Sequence, residues 1–127
     1  MCTVNKQRPK NLNLFTIRFP LPAIVSILHR ISGVFLFLLI PFMLWGLSYS
    51  LASESDFQFL QDKLSSPWLK ITIFLFAASF LYHFTAGIRH LLMDVNIGVE
   101  LKSGRLTAVL TLIIAFLLIA LVGIYLW

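Results

Sequence analysis

Residues 106–127 read LTAVLTLIIAFLLIALVGIYLW, a stretch without a single charged side chain. At 1.5 Å of helical rise per residue it covers about 30 Å, the thickness of a bilayer's hydrocarbon core. Two further apolar runs of similar length precede it, from about Ile31 to Leu51 and from about Trp68 to Ile88. The whole chain has 127 residues, of which 59% are hydrophobic and 12% charged, and its mean hydropathy is +0.92. A water-soluble domain of this size carries about a quarter of its residues as charges. There is too little polar surface here to cover a soluble core.

These runs predict an all-α fold: an integral membrane bundle of three transmembrane helices. They form one membrane-anchor domain over residues 1–127, with spans at about 23–51, 68–92 and 105–127. No internal repeat, low-complexity segment or second domain is visible. Pro20 and Pro22 precede the first span, where a missing N–H does little harm. Pro41 lies inside it and is expected to bend it.

The connecting segments carry the topology. The N-terminal segment holds Lys6, Arg8, Lys10 and Arg18, and the segment RHLLMDVNIGVELKSGR (89–105) holds Arg89, Lys102 and Arg105. Between the first two spans, ASESDFQFLQDKLSSP (52–67) is net acidic. Basic segments that alternate with an acidic one predict a cytoplasmic N-terminus and second loop, with the first loop and C-terminus periplasmic. The net charge of +5 therefore reads as topology, and no nucleic acid is expected as a partner. The single cysteine, Cys2, excludes a disulfide within the chain, and no C-x-x-C-H marks covalent haem attachment. The polar first eighteen residues make a cleaved signal peptide an unexpected feature.

Two places put polar groups at membrane depth. In FAASFLYHFTAGIRHLLMD (76–94), His83 lies about 9 Å inside Arg89 along a helix. An ionisable residue at such depth is costly and marks a candidate functional site. A neutral imidazole suits haem iron; it equally suits a hydrogen bond to a neighbouring helix or a water. Ser79 and Gly87, four residues to either side, are small enough to leave room for a flat group.

The other place is SILHRISG (26–33), where Ser26, His29 and Arg30 stand at the threshold of the first span. A haem buried beside His83 would extend its propionates to this rim, where His29 and the planar fork of Arg30 can pair with them. Snorkelling at a helix end is the plainer reading of both. Ser26 shares a helical face with Arg30, so the two can form the polar end of a slot for a quinone. The hydroxyl can equally bond back to its own helix. His83 and His90 are about 10 Å apart along one helix and cannot take opposite faces of one iron, and His29 is expected too near the rim. A six-coordinate haem would need its second ligand from another chain.

With these residues in view, KQRPKNLNLFTIRFPLPAIVSILHRISG (6–33) and YHFTAGIRHLLMD (82–94) resemble the two signatures of the cytochrome b membrane-anchor subunits of succinate dehydrogenase, in the form found in gammaproteobacteria. The resemblance implies that His83 is an axial ligand of haem b, shared with a second small membrane-anchor subunit that supplies the other ligand. It implies that Ser26, Ile27 and Arg30 line the ubiquinone site and that His29 and Arg30 approach the haem propionates. The implied partners are that companion anchor, an iron–sulfur subunit and a flavoprotein subunit, on the bacterial inner membrane. The implied role is electron transfer from succinate to ubiquinone in the tricarboxylic acid cycle and respiratory chain. A purely structural anchor and the anchor of a fumarate reductase are the competing readings.

Overall fold

A computed structural model describes residues 19–127. The basic N-terminal residues and the first part of the N-terminal signature, including Cys2 and Arg18, lie outside the described residues. The described residues form four helices: α1 (Leu21–Ser50), α2 (Glu54–Leu64), α3 (Pro67–Asp94) and α4 (Leu101–Leu126). Three of them, α1, α3 and α4, are long and apolar enough to cross a membrane. They agree in number with the three expected spans.

The short α2 is a correction to the sequence reading, which expected only a polar connection there. Its signals are local. Ser53 is the N-cap and accepts from the Asp56 backbone N–H at 3.1 Å, and Glu54 and Asp56 stand in the first turn with Lys63 in the last. Both charge placements complement the helix dipole. Helix α3 is capped in the same way by Ser66, followed by Pro67 as the first helical residue. Helix α1 has Pro22 in its first turn and continues past Pro41 to Ser50. The α3–α4 connection turns on Asn96 and Gly98, with φ of 64° and 80°.

The interior is built from small residues. Gly104, Ala108, Thr111 and Ala115 are buried on α4 and recur at helical spacing along one stripe. The buried apolar cluster is Val25, Ala86 and Ala108, with Leu21, Tyr82 and Leu112 packed around it. Large apolar side chains such as Phe37, Phe42, Trp45 and Phe116 point outward. This inverts a soluble protein. Lipid tails are as apolar as leucine, so burying large side chains between helices gains little, whereas small ones let backbones approach. Buried hydroxyls are satisfied by their own helices: Thr85 donates to Leu81 O at 2.9 Å and Thr111 to Thr107 O at 2.8 Å.

Helices α3 and α4 form an antiparallel pair fastened at both ends. Lys70 Nζ donates to Leu126 O at 3.2 Å, where it also meets the negative end of the α4 dipole. At the opposite end the buried Arg89 donates from Nε to Thr107 Oγ1 at 3.2 Å and from Nη2 to Gly104 O at 3.4 Å. Helix α1 packs antiparallel to α3, with Tyr82 OH donating to Val25 O at 2.9 Å. The start of α1, the end of α3 and the start of α4 therefore share one end of the bundle, and α2 lies at the other.

Candidate functional site

The shared end gathers all three histidines. The ring of His83, from α3, stacks on that of His29, from α1, with centroids 4.1 Å apart and planes 13° from parallel. His90 lies one step further along, its ring 4.9 Å from His29 and tilted by 38°. His29 thus sits between the two histidines of α3. Its backbone and its neighbour complete the contact: His83 Nδ1 is 3.0 Å from His29 O and 3.0 Å from Ser32 Oγ. The Ser32 hydroxyl in turn donates to His29 O at 2.8 Å.

The residues of the α1 threshold separate onto two faces. Consecutive helical positions differ by about 100°, so His29 turns toward α3 together with the buried Val25 and Ser32, whereas Ile27 and Arg30 are exposed and Ser26 is half-buried. What the five candidate residues share is an end of the bundle, not a single pocket wall. His29 also departs from expectation in depth. Its side chain reaches inward far enough to stack on His83. The two rings lie face to face and nearly parallel. His90 lies beyond His29 and is no nearer. Among the described residues no three His, Cys, Asp or Glu side chains converge on a common metal position.

The two small neighbours of His83 also part company. A Cβ on Gly87 would stand 3.5 Å from His29 Nε2, so the space this glycine leaves is taken by His29. Ser79 does border open space. A groove of about 490 Å³ runs between α1 and α3, lined chiefly by apolar side chains with Ser32, Ser79 and Tyr82 among them. It lies in the usual size range for cofactor and ligand pockets.

Sequence reasoning missed Ser32 and Gly33. Gly33 lies so close to His83 that a Cβ there would stand 2.9 Å from Cε1. The available signal was the pair of small residues placed one turn after His29, directly on the face that the histidine itself defines.

Chemically, the site offers one imidazole with Nδ1 engaged and, among the described residues, no hydrogen bond to Nε2. Beside it are an apolar groove and, at the same end of the bundle, an exposed guanidinium. That donor set fits a flat apolar group with one metal-ligand position and an anionic edge.

A family model described as succinate dehydrogenase/fumarate reductase transmembrane subunit matches residues 4–122. The succinate dehydrogenase cytochrome b556 subunit of Coxiella burnetii is 39% identical over 98% of this chain and 100% of its own length. The subunit of the same name from Paracoccus denitrificans is 34% identical over 91% of this chain and 98% of its own. The succinate dehydrogenase cytochrome b560 subunit of Porphyra purpurea is 35% identical over 88% and 95%. The resemblance carried by the two sequence signatures is borne out, and the three apolar helices make the chain a multi-pass membrane protein. It belongs to the succinate dehydrogenase/fumarate reductase transmembrane subunit family.

Proposed function

We propose that this chain is the haem b-carrying membrane anchor of a succinate dehydrogenase, seated in the bacterial inner membrane with its histidine end toward the cytoplasm. The observation that carries the reading is the stack of His29 on His83. It joins the polar threshold of α1 to the intramembrane imidazole of α3 at one end of the bundle. The relatives' shared description as cytochrome b subunits of succinate dehydrogenase supports the cofactor and favours succinate oxidation over fumarate reduction.

Haem b, when bound, would supply one-electron chemistry. His83 would hold the haem iron through Nε2, and the companion small anchor would supply the other ligand. The groove between α1 and α3 receives apolar edge, and His29 and Arg30 pair with the propionates. Arg30 suits that task because its fork matches a carboxylate and keeps its charge when partly desolvated.

Ubiquinone binds at the same rim against Ser26, Ile27 and Arg30. The hydroxyl of Ser26 fixes the ring's orientation, Ile27 packs on it, and Arg30 stabilises negative charge at the carbonyl oxygen as electrons arrive. A position near the aqueous boundary also suits a reaction that takes up two protons. The flavoprotein and iron–sulfur subunits dock on the cytoplasmic side and do the succinate chemistry.

The test is His83→Ala in the assembled complex, read by the b-type absorbance per mole of chain. Loss of that absorbance in His83→Ala, with retention in His90→Ala, is the expected result. Unaltered absorbance in His83→Ala would overturn the ligand assignment and leave a purely structural anchor.

A further inference from the structure

We infer that Ser32 is a positioning residue for the metal-ligand nitrogen of His83, an inference that rests on the haem reading above. The chemistry follows from what each atom can do. A backbone carbonyl only accepts, so His83 Nδ1, 3.0 Å from His29 O, carries the ring proton. The Ser32 hydroxyl spends its own proton on His29 O at 2.8 Å and so faces Nδ1, at 3.0 Å, as a second acceptor. A neutral imidazole with its proton on Nδ1 has its lone pair on Nε2.

The bond from Nδ1–H to two acceptors does two things to a ligating histidine. It fixes the ring's plane, and it raises electron density at Nε2, the usual service of the partner behind a metal-bound imidazole. Three features set Ser32 apart from an ordinary serine bonding its own helix. It lies on a different helix from the ring it holds, it is only 8% exposed, and its neighbour Gly33 packs so closely on that ring that a Cβ there would stand 2.9 Å from Cε1. Ser32 also lines the groove between α1 and α3.

The experiment compares Ser32→Ala, Ser32→Thr and Ser32→Cys in the purified complex. The readouts are transfer of haem to an excess of apomyoglobin and the midpoint potential of the b-type absorbance. Ser32→Ala is expected to lose haem about tenfold faster or more, with the potential shifted upward because a less electron-rich imidazole stabilises oxidised iron less. Ser32→Thr, which keeps the hydroxyl, is expected to stay near the parent protein. Where Ser32→Ala fails to assemble, Ser32→Cys makes the same comparison with a near-isosteric side chain that hydrogen-bonds weakly, and it is expected to behave as the alanine would. Parent-like haem retention and potential in Ser32→Ala, or in Ser32→Cys where that is used, would overturn the role of Ser32. The ligand assignment fails separately, through persistence of the absorbance in His83→Ala.

Discussion

Gly33 and His83 are in such close register that a Cβ on the glycine would fall 2.9 Å from Cε1 and 3.4 Å from Nδ1 of the imidazole. Real side chains do not approach that closely, so any substitution at Gly33 must move the ring or part the helices. Overpacking of this kind costs about 1–3 kcal/mol. Gly33→Ala is expected to lower the haem content of the purified complex, and Gly33→Leu to abolish it. Gly46 lies on the same helix with nothing within 4 Å of its virtual Cβ, so Gly46→Ala should be silent. Absorbance per mole of chain across the three variants is the measurement, and full haem content in Gly33→Leu would refute the contact.

Arg89 is 4% exposed and spends its donors on neutral oxygens of α4. A charge-assisted hydrogen bond is worth about 1.5–3 kcal/mol, while an average interhelical bond in a membrane is worth about 0.6. Arg89→Met should therefore destabilise the α3–α4 pair by about 1–3 kcal/mol. Arg89→Lys should fall between, since one ammonium cannot reproduce a fork directed at Thr107 Oγ1 and Gly104 O. Detergent-denaturation midpoints of the complex check this, with Arg105→Ala as an exposed control. A parent-like midpoint in Arg89→Met would mean the guanidinium does not fasten the helices.

The three spans were legible because apolar length is a one-dimensional property, and no tertiary contact is needed to read it in residues 106–127. His83 was legible for a related reason: an imidazole among Phe and Tyr is conspicuous at that depth. The faces of α1 were harder. His29 and Arg30 are adjacent in sequence yet turn 100° apart, and only the position of α3 decides which one is inside. Ser32 and Gly33 offered only the signal of their spacing from His29, since a small residue acquires its role from the side chain that packs on it. Helix α2 was within reach, because the Ser53-to-Asp56 cap is a local signal; a search for apolar runs simply passes over it.

The shared end of α1, α3 and α4 makes a topological prediction. In a chain with Cys2→Ser, a cysteine replacing Ser55 or Gln61 on α2 should react with an impermeant maleimide added to intact spheroplasts. A cysteine replacing Lys102 should react only in inverted vesicles. The expected direction follows from the basic residues flanking α4's start, through the positive-inside bias. Labelling of both positions from one side would contradict the antiparallel arrangement, and reversed labelling would contradict the assigned cytoplasmic end.

Arg30 is the sharpest test of the proposed quinone site because the structure leaves its side chain exposed while turning its neighbour His29 inward. A guanidinium on that outer face has little to do for helix packing, so its loss should affect what binds there and spare assembly. Removing a charged hydrogen-bond donor worth about 1.5–3 kcal/mol slows a step that depends on it by about 10- to 100-fold. Arg30→Ala should therefore cut succinate-to-quinone turnover by that factor while succinate oxidation with an artificial dye stays near the parent rate. Arg30→Lys should recover part of the loss, because the charge returns without the fork. Ser26→Ala should act mainly through a raised KM for quinone, as expected of a group that orients the ring. If Arg30→Ala lowers the dye-linked and quinone-linked rates equally, the arginine serves docking of the soluble subunits, and the quinone contact must be sought elsewhere.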